Sequence, residues 1–131
     1  MHPEALREAE AWLRKAESDL RAIRILMTDE APPLDIVCFH AQQAAEKAVK
    51  AMLTAHGIAF PKTHDLALLA SLAPERIAPD LSRETWAELS YFAVGPRYPD
   101  DFIEYTRPMA DDLFAKARMA FDAVRVRLSE P

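Results

Sequence analysis

Two short runs hold the side chains best suited to chemistry on a phosphate group. Between Ser90 and Pro99, the Gly95-Pro96 pair breaks a helix and is followed by Arg97 and Tyr98. An always-charged guanidinium fork can hold a phosphate through two parallel hydrogen bonds, and the adjacent phenol can stack or donate one more. In Lys62-Thr63-His64-Asp65, a cation, a helix-capping hydroxyl and an imidazole with a neighbouring carboxylate fall together at a helix start. Each run also has a purely structural reading. Arg97 can pair with Asp100 or Asp101 in a capping turn while Tyr98 packs on the core, and residues 62–65 can be plain N-capping.

Other chemistries are poorly served. His2, His40, His56 and His64 are scattered, without the His-Glu-x-x-His or paired-cysteine spacing that puts metal ligands on one helix face, so no metal is expected. Two glycines in the whole chain leave no phosphate-cradling loop, and no cofactor is expected. Cys38 lies alone in an apolar run, can form no internal disulfide, and reads as a small buried apolar group. A net charge of −5 opposes sequence-independent capture of nucleic-acid backbones, so DNA binding is not predicted, although arginines from separate segments can still converge in a local basic cleft.

The elements that must position these residues are helices. Half of the 131 residues are apolar and charges are mixed along the chain, which suits one helical domain over residues 1–131. Leu6, Ala9, Leu13, Ala16, Leu20, Ile23 and Met27 alternate three- and four-residue steps, the mark of one apolar helix stripe. Pro32 and Pro33 end that helix. A second is predicted from Asp35, as N-cap, to His56, with Gly57 in the left-handed position after its end. Its alanines would let another helix approach closely, within the chain or across a subunit interface, and Gln43, Glu46, Lys47, Lys50 and Thr54 remain as a narrow polar strip read as solvated. A short third helix is predicted from Thr63 as cap through Leu66, Leu69 and Leu72 to Pro74. A fourth runs from Ser82 as cap through Trp86, Leu89 and Phe92 to Gly95, and a fifth carries Met109, Leu113, Ala117, Ala120, Val124 and Leu128 with Pro108 in its first turn. The fold class is all-α, a compact up-down bundle of about five helices. No apolar stretch approaches the roughly 20 residues of a membrane span, and Met1 to Arg14 lack the apolar segment of a signal peptide, so a cytoplasmic protein with no membrane partner is expected.

Trp12 to Leu20, the run from Cys38 to Ala51 (CFHAQQAAEKAVKA), Thr63-His64-Asp65-Leu66 and Arg97-Tyr98-Pro99, taken together and in order, resemble the HEPN (higher eukaryotes and prokaryotes nucleotide-binding) domain family. The resemblance implies a bundle of four or five helices, a homodimer, and a small nucleotidyltransferase partner encoded beside it. Many relatives are ribonuclease toxins whose site, shared across the dimer cleft, is an arginine followed four to six residues later by a histidine. Arg97 matches the arginine, but residues 98–107 contain no histidine. The reading that follows is a nucleotide- or RNA-phosphate-binding partner of a nucleotidyltransferase in a toxin–antitoxin-type module, with Arg97, Tyr98 and Lys62 on the phosphate. The alternatives are a rewired metal-independent endoribonuclease using Arg97 and His64, and a purely structural helical adaptor. Some relatives are silenced by nucleotide transfer to a tyrosine near the arginine, which marks Tyr98, and Tyr105 in reserve, as modification sites.

Overall fold

The computed structural model describes residues 1–73, 81–94 and 104–130, and within them the chain forms five helices: α1 (Pro3–Leu26), α2 (Leu34–Ala55), α3 (Leu66–Ser71), α4 (Arg83–Val94) and α5 (Arg107–Ser129). No strand occurs among the described residues. The capping chemistry explains most boundaries. His2 Nδ1 accepts from the Glu4 amide at 3.2 Å, Ser82 Oγ from Thr85 at 3.1 Å and Thr106 Oγ1 from Met109 at 3.2 Å, each satisfying an amide that the first helical turn leaves unpaired. Gly57 follows α2 with φ +67°, the left-handed backbone expected of it.

Two caps differ from the sequence expectation. Asp35 lies inside the first turn of α2, where its negative charge complements the helix dipole, and Pro33 occupies the cap with an extended backbone and no side-chain hydrogen bond. Asp65, not Thr63, caps α3 by accepting from the Leu68 amide at 3.1 Å, while Thr63 Oγ1 accepts from the Asp65 amide one step earlier. A carboxylate competes better than a hydroxyl for the orphan donors, so the helix starts two residues later. It also ends at Ser71, short of the predicted Pro74.

Side-chain pairs fix the helix directions. Asp19 meets His40 and Lys47, and Trp12 meets Lys50, so residues early in α1 lie against residues late in α2 and the two are antiparallel. Arg107 at the start of α5 donates to the Asp29 carbonyl in the α1–α2 loop at 3.0 Å, and Arg24 lies over the Phe114 ring. Glu88 pairs with Lys116 while Phe92 meets Tyr105, so α4 runs against α5. Helices α1 and α4 therefore point one way and α2 and α5 the other, which is an up-down bundle.

Helix α2 is its axis and packs on each of the other four. Ala41, Ala44, Ala45, Ala48, Ala51 and Ala55 are all buried within the chain. Their small side chains let neighbouring helices approach, and Leu20, Ile23, Leu53, Leu113 and Val124 fill the space they leave. Of the two uses the sequence left open for the alanine face, the chain's own core takes it, so a subunit interface would use other residues. Because Ala48 is wholly inaccessible, Ala48→Leu is expected to destabilise the fold by about 1–3 kcal/mol through overpacking. Urea unfolding checks it, with a lowered midpoint expected at unchanged slope; an unshifted midpoint would show that the face is open.

Candidate functional site

Along α2, the residues at positions 40, 43, 46, 47 and 50 recur at three- and four-residue steps and so share one helix face. Four of these, Gln43, Glu46, Lys47 and Lys50, form with Thr54 the polar strip that was expected to be solvated. Instead Glu46 is buried, in a seam with Asp19 of α1 and Gln42 of the adjoining face, because α1 covers one edge and the segment returning from Gly57 covers the other. Glu46 is only 3% exposed and Asp19 8%, while Gln42 is completely buried. Among the described residues no buried side-chain nitrogen or oxygen lacks a hydrogen-bond partner.

Two carboxylates organise the seam, each taking one histidine and one lysine. Asp19 of α1 accepts from Lys47 Nζ at 2.6 Å and lies 2.8 Å from His40 Nδ1. Glu46 accepts from Gln42 Nε2 at 2.9 Å and from Lys50 Nζ at 3.0 Å, and lies 2.7 Å from His64 Nδ1. Gln43 Nε2 donates to Gln42 Oε1 at 2.7 Å and extends the chain. The Lys50 ammonium also sits 5.6 Å from the Trp12 ring centroid and 5.8 Å from that of Phe60, so two aromatic faces share its charge.

The charge on Glu46 fixes His64 Nδ1 as a donor. Burial alone would push its carboxyl up, but hydrogen bonds from Gln42, His64 and Lys50, with the Lys50 charge, outweigh that and hold it below the usual carboxylate range. An ionised carboxylate only accepts, so His64 Nδ1 carries the hydrogen and donates it. In the neutral imidazole Nε2 is then an acceptor, and it makes no hydrogen bond to any described residue. With a side chain 57% exposed, His64 faces solvent and is oriented from behind by a buried carboxylate, the relation that orients histidine in many general-base sites.

The remaining candidates divide. Lys62 is exposed, two residues before His64, and forms no ion pair with the described residues. Tyr105 is half-buried against Phe92, ring centroids 6.1 Å apart, and its phenol is pushed up by burial first and then by the electrostatics of Cys38, Asp35 and Tyr91, which makes it a still poorer base. Cys38 is inaccessible; burial, then the Asp35 charge, raise its thiol to about 11, which keeps it protonated and unreactive at neutral pH. Arg97 and Tyr98 lie outside the described residues, and with them the separation of His64 from Arg97. No group of three or more potential metal ligands occurs among the described residues, and no described helix is long and apolar enough to cross a membrane.

Sequence reasoning missed Asp19, His40, Gln42 and Glu46 as site members. The signal available was the i,i+4,i+8 series Gln42-Glu46-Lys50 set among alanines: polar groups embedded in an apolar stripe must find partners inside the protein.

An up-down helical bundle built around a central alanine-rich helix, with an acid-anchored histidine on its returning loop, defines the class. The HEPN domain family matches residues 9–127, and the chain belongs to that family. A Methanocaldococcus jannaschii protein named "Putative toxin MJ1304" is 26% identical over 140 aligned residues, covering 95% of this chain and 91% of that protein. The crystal structure of ST0689, an archaeal HEPN homologue, superposes with a TM-score of 0.72 at 28% identity, over 92% of this chain and 98% of its own.

Glu46 gives the site a defined acid limit. Its carboxyl is depressed in the folded protein, so the unfolded chain takes up the proton first as pH falls. The stabilisation it provides is complete above its ordinary value of 4.5 and is lost as pH drops through the lower folded value. Urea unfolding between pH 7 and 3 is expected to show this loss in the native chain and a shallower acid slope in Glu46→Gln. Glu46→Ala at pH 7 should cost about 3 kcal/mol or more, because Lys50, Gln42 and His64 lose a shared acceptor. Identical acid slopes in the native chain and Glu46→Gln would remove Glu46 as the group responsible.

Proposed function

We propose that this chain, over its whole length, is the HEPN component of a toxin–antitoxin-type module in the cytoplasm: a homodimer that binds nucleotide or RNA phosphates and partners a small nucleotidyltransferase. The observation that carries this reading is the Glu46-anchored, exposed His64 with the exposed Lys62 beside it, on a HEPN bundle whose archaeal relative bears a toxin name. Arg97 supplies the bidentate phosphate contact, with Tyr98 and Lys62 flanking it. The exposed Ile36 and Phe39, near the start of α2, supply apolar surface for a two-fold contact now that the alanine face is used internally. Nucleotide transfer by the partner falls on Tyr98, with the half-buried Tyr105 in reserve, and places negative charge beside Arg97.

The Glu46–His64 pair favours a second reading, a metal-independent endoribonuclease without the usual arginine–histidine motif. His64 Nε2 accepts the proton of a ribose 2′-hydroxyl, the 2′-oxygen attacks the adjacent phosphorus, and the 5′-oxygen leaves with a proton from water. Arg97 offsets the charge that builds on the phosphoryl oxygens. Glu46 keeps the imidazole in the tautomer that this step needs.

Three measurements test the reading. Light scattering at micromolar concentration is expected to give a dimer. Arg97→Ala is expected to lose about 1.5–3 kcal/mol of affinity for a short RNA. Peptide mass measurement after co-expression with the neighbouring nucleotidyltransferase is expected to find nucleotidyl mass on Tyr98 or Tyr105. A monomer with unaltered RNA affinity in Arg97→Ala and no mass on either tyrosine would overturn it. Growth arrest on expression that is lost in His64→Ala selects the endoribonuclease; arrest that persists excludes it.

A further inference from the structure

Beside His64 the bundle carries a groove whose other wall, on α4, neither reading uses. Thr63, His64 and Asp65 line one side, and Ala87, Ser90 and Tyr91 of α4 line the other. The two sides are tied together. Ser90 Oγ accepts from the Leu66 amide at 2.6 Å and donates to the Trp86 carbonyl at 2.9 Å, which fixes the start of α3 against α4. Tyr91 is 52% exposed, a large aromatic surface held in place by an edge-on contact with Phe92 at 5.6 Å and 88°. His64 is fixed just as firmly by its 2.7 Å bond to the buried Glu46.

The chemistry of these walls is uneven. Ser90 has spent its hydroxyl on the fold, and the Asp65 carboxylate is engaged with the Leu68 amide. What the groove offers a ligand is one exposed aromatic face, the Nε2 of His64, an acceptor in the neutral imidazole, and the exposed ammonium of Lys62 two residues away. A planar ring that stacks, a hydroxyl that donates and a phosphate that pairs with an ammonium are the three parts of a ribonucleotide. Stacking on tyrosine is indifferent to the sugar, whereas an acceptor aimed at a 2′-hydroxyl has no partner in DNA.

The geometry points to this groove as a subsite for one nucleotide of single-stranded RNA, its base on Tyr91 and its ribose 2′-hydroxyl donating to His64 Nε2. Glu46 acts here as a positioning residue, since without a carboxylate behind Nδ1 the imidazole is free to carry its hydrogen on Nε2 and lose the acceptor. The assignment rests on the RNA-binding reading above and adds to it a place, a stacking residue and a basis for choosing RNA over DNA.

The test is fluorescence anisotropy at neutral pH with a fluorescein-labelled six-nucleotide RNA and the DNA of the same sequence, on the full chain, with circular dichroism confirming that each variant is folded. The native chain is expected to prefer RNA. Tyr91→Ala should weaken RNA and DNA alike, by on the order of ten-fold, and Tyr91→Phe should bind as the native chain does. His64→Ala should lower RNA affinity alone and bring the two ligands together. If Arg97→Ala weakens binding while Tyr91→Ala and His64→Ala do not, the functional reading stands and the groove is overturned. If the native chain binds neither ligand, the RNA-binding reading falls and the groove with it. A His64→Ala loss of equal size on RNA and DNA overturns the 2′-hydroxyl contact.

Discussion

A carboxylate taken out of water must be surrounded by donors, and the interior of this bundle is arranged around that demand at Glu46. Three donors reach it: Gln42 and Lys50 from one turn before and one turn after on α2, and His64 from a segment eighteen positions further along the chain. The first two come free with helical geometry. The third exists only if the chain leaves α2, reverses and comes back along it. Local sequence thus builds most of the cradle, while the tertiary fold delivers the group that faces solvent. Lys50 shows the same logic one layer out, its charge shared between a carboxylate and the faces of Trp12 and Phe60, which α1 and the returning segment bring from opposite sides.

The alanine-rich character of α2 and the buried seam are two aspects of one arrangement. Small side chains draw the neighbouring helices close enough to exclude water from Ala44, Ala45 and Ala48, and the same closeness buries Gln42 and Glu46. Had larger residues spaced the helices apart, the polar strip would be wet and each of its hydrogen bonds would compete with water. The Asp19 cluster links α1 to α2 with equivalent chemistry. By contrast, Lys116, held by Asp112 and reaching Glu88, and the Asp122–Arg125 pair lie on outer surfaces where solvent screens them.

What could be read from sequence follows from which forces are local. The apolar stripe of α1, the left-handed Gly57, the Ser82 cap and the proline in the first turn of α5 are set by neighbours within a turn, and all were legible. The start of α3 was misread because two capping side chains, Thr63 and Asp65, stand two residues apart, and propensity alone does not say which wins. The polar face of α2 was misread for a deeper reason. Helical periodicity reports which residues share a face but not what covers it, so Glu46 looked like a solvated charge until α1 and residues 58–65 were in place. His64 was legible as a candidate from its neighbours Lys62 and Asp65, yet the carboxylate that orients it belongs to another helix.

The reversal at Gly57 also makes the connection to His64 a tether of defined reach. From Glu46 to Ala55 the helix climbs about 14 Å at 1.5 Å per residue. The seven steps from Gly57 to His64 can span about 23 Å when fully extended, leaving slack of roughly two to three residues. The imidazole is therefore presented to its carboxylate at the high effective concentration of a short loop, and lengthening the loop lowers that concentration only logarithmically in free energy. Shortening is different in kind: once the slack is gone the histidine cannot span the distance at all. The permitted variation in this part of the chain is accordingly one-sided, tolerant of insertion and closed to deletion.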